Sequence, residues 1–60
     1  MRKIYVIESV IHPGSFWADN HKEFKGWLYA TKYSGDWVNE EVKRASKIEP
    51  CKVTEVYDKQ

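Results

Sequence analysis

Apolar and polar residues alternate at three places along this chain, and at a fourth they fall at helical spacing. In "KIYVIESVI" (3–11) both registers are apolar, with Ile4, Val6 and Val10 on one and Tyr5, Ile7 and Ile11 on the other. β-Branched and aromatic residues with so little polar relief predict a central strand, covered at least partly on both faces. "HPG" (12–14) ends it, because proline removes a ladder donor and glycine permits a turn. "SFWAD" (15–19) predicts a short second strand at most, and "NHKEFK" (20–25) reads as a polar connection punctuated by Gly26. "WLYATKY" (27–33) reads as the stronger strand, with Trp27, Tyr29, Thr31 and Tyr33 on one side and Leu28, Ala30 and Lys32 on the other.

Helical spacing begins after Ser34-Gly35-Asp36, where Ser34 or Asp36 can accept from an orphan amide of a first turn. Val38, Val42 and Ala45 fall at i, i+4 and i+7, a narrow stripe fit to lie on a sheet, with Trp37 and Ile48 flanking it. Trp37 reads as a cap on the edge of the core. Glu40 and Arg44 form an i,i+4 pair, and basic residues gather at the carboxyl end, in keeping with the helix dipole. Pro50 cannot continue the helix. "CKVTEVY" (51–57) is a last strand with Cys51, Val53 and Tyr57 on one face. The predicted fold is a small α+β domain spanning 1–60. It has a mostly antiparallel sheet of three or four strands with one helix on one face, in the order β-β-β-α-β. Pairing of the last strand beside the first would account for the two-sided apolarity of residues 4–11.

Composition narrows the function more than the fold. Sixty residues make one domain, and nine aromatics (three Trp, four Tyr, two Phe) are an efficient way to build a core in so short a chain. Such a domain has little interior from which to carve a catalytic cleft. The single cysteine, Cys51, allows no intrachain disulfide and reads as a small buried hydrophobe. No apolar run is long enough to span a bilayer and the amino end shows no signal core, so a cytoplasmic setting is expected. Ten Lys/Arg against nine Asp/Glu, a net charge of +1, are interspersed rather than striped, which is neither the excess expected of a phosphate-driven nucleic-acid binder nor the acidity of a DNA mimic. Lys43, Arg44 and Lys47 form a modest basic cluster that dipole compensation explains. His12, His21, Asp19 and Glu23 show no recognised ligand spacing, and a Ser15, His12, Asp19 triad can be drawn but lacks the glycine pattern of a nucleophile elbow. The expectation is therefore no metal, no cofactor and no catalysis.

One stretch stands apart. "SFWADNHKEFKGWLY" (15–29) holds two of the three tryptophans within a run of charges. Aromatic anchors ringed by polar residues are the usual energetic layout of a protein interface. Phe16, Trp17, Phe24 and Trp27 are the candidate anchors, and Lys22, Glu23 and Lys25 the candidate rim. The alternative is single-stranded nucleic-acid binding, with bases stacking on Trp27, Tyr29 and Tyr33 while Lys22, Lys25 and Lys32 meet the backbone. A third reading is a small subunit that completes its core by dimerising through an exposed sheet face. The chain is thus expected to be a monomer or weak homodimer that binds a protein, with no membrane contact.

Tyr5-Val6-Ile7, Ala30 to Ser34 and Val53 to Val56 form a frame that resembles many tiny bacteriophage early proteins of β-hairpin, helix, strand type. The resemblance covers about two thirds of the chain and carries a fold rather than an activity. It implies a non-catalytic inhibitor or modulator of a host protein complex, in transcription, nuclease or defence machinery, acting by steric occlusion in the host cytoplasm. Polymerase inhibitors of this kind use arginines on the last strand, where this chain has Lys52, Thr54 and Glu55. The stretch 15–27 lies outside the shared frame and would distinguish one target from another.

Overall fold

The computed structural model describes residues 2–58. Four strands form one antiparallel sheet in the order β3-β2-β1-β4. They are β1 (Arg2–Ser9), β2 (Phe16–Ala18), β3 (Glu23–Lys25) and β4 (Cys51–Asp58), and the one α-helix, α1, spans Gly35–Ala45. The fold is the small α+β class that the patterning predicts, with β4 beside β1. These two strands pair without a bulge from Arg2↔Asp58 to Ser9↔Cys51.

The alternation of β1 fills both faces of the sheet. Tyr5 and Ile7 point toward α1, where buried Ile7, Trp17, Val38 and Ala45 form the core and Tyr5, Phe24, Tyr33, Val42 and Cys51 pack around them. Ile4 and Val6 point the other way and are buried as well, with Ala18 of β2 on the same face. Helix α1 lies down with Val38, Val42 and Ala45 inward, as its spacing predicts. Asp36 in the first turn and Lys43 and Arg44 in the last complement the dipole. Gly35 lets the helix start against Tyr5, since a Cβ there would sit 3.3 Å from the ring.

Four readings of the sequence are corrected. The third strand is Glu23–Lys25, inside the supposed polar connection, and Trp27–Tyr29 is a turn of 3-10 helix. The hairpin closes early because the chain turns over Asp19–Lys22, with Lys22 in the left-handed region at φ 55°. Residues beyond Gly26 then coil into the bonds Tyr29 N–H to Gly26 O and Ala30 N–H to Trp27 O, both 3.0 Å. Extended backbone resumes only where Thr31 N–H donates to Trp17 O and Tyr33 exchanges both bonds with Tyr5. Leu28 consequently faces solvent. Trp37, read as capping the core, is 71% exposed, because the helix turns it away from the Val38–Ala45 stripe. Glu40 pairs with Lys43 (3.9 Å) and Arg44 with Glu41 (3.2 Å), so the i,i+4 pair gives way to two i,i+3 pairs. Ser34 is the N-cap residue but makes no side-chain cap bond.

Candidate functional site

Strand parity distributes the aromatic residues between two sides of the sheet. In the β2–β3 hairpin Trp17 stands opposite Phe24, and Phe16 opposite Lys25. The first pair points toward α1. Trp17 is 3% exposed and meets Phe24 edge to face at 5.3 Å, and its Nε1–H donates to Glu41 Oε2 at 3.4 Å. That bond, with Arg44 at 3.2 Å, is why a glutamate can lie buried beside the core. Burial pushes the nearby Tyr33 phenol up to about 12, and its hydroxyl finds no partner among the described residues. Trp17, Phe24 and Tyr33 are thus core residues.

The second pair opens onto the other face and joins the 3-10 turn. Phe16 meets Trp27 edge to face at 5.2 Å, and His21 from the hairpin loop meets Tyr29 at 5.7 Å. Lys25 Nζ lies 5.2 Å from the centre of the Tyr29 ring, and Lys32 Nζ lies 5.1 Å from that of Trp27. Each ring is held by a neighbour from another element, and cation–π contacts of this exposed kind contribute roughly 0.5–1 kcal/mol each. Between the two rings stands Leu28, 90% exposed. The result is a crest, Trp27-Leu28-Tyr29, whose flanking rings each have an aromatic and a lysine neighbour and whose middle residue is bare.

The structure therefore gathers Phe16, Lys25, Trp27, Tyr29 and Lys32 from the two candidate sets. It separates them from Trp17, Phe24 and Tyr33. Lys22 stands at the loop, 3.2 Å from Asp19. Glu23 is exposed on β3. Leu28 and His21 belong to the crest although the sequence reading gave neither a role there. The available signal was Gly26 followed by three large residues with no polar alternation.

A second cluster ties the far ends of β1 and α1. Buried Ser9 donates its hydroxyl to Glu49, accepts from His12 N–H at 3.1 Å, and His12 Nδ1 lies 3.3 Å from the same Glu49 oxygen. The Ser9 bond, then His12, holds the Glu49 carboxyl below its usual range. His12 thereby serves a clamp, and Ser15, His12 and Asp19 do not converge. Burial raises the Cys51 thiol, as befits a packed side chain. Among the described residues no three His, Cys, Asp or Glu side chains come together as a metal site, no cavity is present, and no helix is long and apolar enough to cross a membrane. Comparison with protein families, with curated proteins and with solved structures finds no match.

Proposed function

We propose that the chain is a small protein-binding module whose docking element is the crest Trp27-Leu28-Tyr29. The observation that carries this reading is Leu28, 90% exposed between two rings that are each contacted by an aromatic neighbour and a lysine. A summit so arranged inserts into an apolar cleft, and little ordering entropy remains to be lost on binding. Lys25 and Lys32, with Lys22 and His21 at the loop, form a cationic rim that fits a cleft edged by carboxylates. Phe16 supports the crest from below. Binding of this kind occludes a partner surface without chemistry, the mode that the resemblance to small phage proteins implies for a host complex.

Single-stranded nucleic acid is the second reading, favoured by the same co-location of two lysines and two exposed rings. The lysines, however, already occupy the ring faces on which bases would stack. The test is capture from bacterial lysate by the tagged protein at about 150 mM salt, with and without nuclease, beside a Leu28→Asp variant. The protein reading expects a stoichiometric protein that survives nuclease and is lost from the variant, a drop of at least roughly 30-fold for a central anchor. Capture that is nuclease-sensitive and weakens steeply between about 50 and 200 mM salt overturns it in favour of nucleic acid.

A further inference from the structure

β4 ends the sheet, and its outer edge is open among the described residues. Hydrogen-bond parity shows which groups that edge presents. Tyr5 and Ser9 bond toward the β2 side, to Tyr33 and Ser15, while Val10 N–H bonds toward the β4 side, to Pro50 O. Odd residues of β1 thus face β2 and even residues face β4. Since Val6 stands opposite Thr54, and Ile4 opposite Val56, the even residues of β4 are spent on β1. Cys51, Val53, Glu55 and Tyr57 point their N–H and C=O groups outward, unpaired. The strand is eight residues long, holds neither proline nor glycine, and is unbroken by any bulge. Shortness, proline and bulges, which ordinarily blunt an edge, are absent, and the charges between Cys51 and Tyr57 are Lys52 and Glu55.

Beside this edge, on the α1 face, Val53 and Tyr57 are exposed at 38% and 60%. We infer that β4 pairs with β4 of a second copy of this chain, antiparallel and centred on Thr54. Registers that keep both helices on one side must oppose like-facing residues. Centring on Glu55 sets two carboxylates against each other, which is unfavourable. Centring on Val53 or Val56 leaves one end of the strand unpaired. Centring on Thr54 opposes Thr54 to itself, Lys52 to Val56, Val53 to Glu55 and Cys51 to Tyr57, with no like charges directly opposite. The two Glu55 carboxylates are only diagonal, each 3.3 Å from Lys3 of its own chain. It satisfies every outward group from Cys51 to Tyr57. It also brings Val53 diagonal to both Val53 and Tyr57 of the second copy, covering the apolar side chains that the monomer exposes. The two sheets join as one of eight strands. The Trp27–Tyr29 crests, carried at the other edge, then stand at its two ends as a bivalent pair.

Sedimentation over a concentration series tests the pairing, and it is independent of what the crests bind. The native chain is expected to move from monomer to dimer mass as concentration rises. Glu55→Pro removes an outward donor and no backbone bond to β1, and the exposed Lys3–Glu55 ion pair (3.3 Å) that goes with it is worth little. The variant is therefore expected to stay monomeric with an unchanged circular dichroism spectrum. Thr54 occupies a non-hydrogen-bonded pair at the seam, where Cα atoms lie about 4.5 Å apart, within disulfide reach. Thr54→Cys in a Cys51→Ser background is therefore expected to oxidise to a covalent dimer. A native chain that remains monomeric at millimolar concentration overturns the inference. So does a Glu55→Pro variant that dimerises like the native chain, or a Thr54→Cys variant that fails to crosslink.

Discussion

The β1–β4 ladder and the β2–β3 hairpin lie at opposite edges of one sheet and use their backbones in contrary ways. The ladder is long, regular and pinned by α1, so its side chains are committed by parity, and its one unfinished feature is an open edge. The hairpin has two strands of three residues each, closed by a non-glycine residue at positive φ, and it hands the chain to a 3-10 turn. Its stability comes from a few large rings instead of from a ladder. The same rings are divided between core and surface within a single pair of strands. The hairpin is where recognition can be built, since a short and locally held element can present side chains that a long ladder would bury.

Trp17→Ala is the strongest way to break this comparison. The indole anchors the hairpin to α1 through Phe24 and Glu41, and its loss leaves a large void and takes from buried Glu41 one of its two donors, Arg44 remaining. Truncating a buried Trp costs about 3–5 kcal/mol, as much as a 60-residue domain of this kind has to give. Thermal melting by circular dichroism is expected to show no cooperative transition. A variant that still melts cooperatively near the native temperature would mean the hairpin folds independently of the helix.

Ser9→Ala comes next and probes the ladder end. It removes the buried hydroxyl that links β1 to the loop after α1, at about 1–3 kcal/mol. The pH dependence carries the sign. Because the folded state holds Glu49 below its ordinary value, the stabilisation is present above the unfolded carboxyl value and is lost as pH falls through the folded one. Urea titrations of the native chain are expected to show a decline on the acid side that is shallower in Ser9→Ala. An identical acid profile in both would place the sensitivity elsewhere, at Asp19 among other groups.

Much of the ladder half was legible in the sequence. Two apolar registers in residues 4–11 imply burial on both faces, which holds for Ile4, Val6 and Ile7 but not for Val10 and Ile11, which lie beyond the strand's end at Ser9 and are exposed. Val38, Val42 and Ala45 at helical spacing imply a helix lying on one face. The hairpin half was misplaced because its boundaries depend on backbone geometry that side-chain pattern does not report. Trp27, Tyr29 and Tyr33 alternate as a strand would, yet Lys22 at positive φ closes the hairpin early and leaves 27–29 free to coil. Trp17 and Trp27 illustrate the consequence. Both sit among charges, and only the parity of β2 sends the first into the core while the second stays on the surface. Glu41 was invisible for a related reason, since its burial follows from the Trp17 indole that it accepts from.

Lys22→Gly sharpens the same point with the opposite sign. A left-handed backbone costs a non-glycine residue roughly 1–2 kcal/mol, part of which glycine returns through unfolded-state entropy. The hairpin closes on that residue, so the variant is expected to be more stable by up to about 1 kcal/mol, read as a raised urea midpoint with an unchanged slope. The bond to Asp19 at the exposed loop is worth little against this. A lowered midpoint would mean that the lysine side chain, and not the turn, holds the hairpin.

The smallest expected effect is the most informative about recognition. Leu28 is 90% exposed, so truncating it changes the folded state by no more than about 0.5 kcal/mol in either direction, the range of ordinary surface substitutions. The Leu28→Asp variant of the capture experiment is expected to melt within that margin of the native chain. Preserved stability with lost capture would separate the crest's role from the core's, which no substitution at Trp17 can do. If Leu28→Asp instead melts markedly lower, the crest is closing the sheet face over Phe16 and Ala30. Trp27 and Tyr29 would then be structural residues, and the contrast between the two edges would vanish.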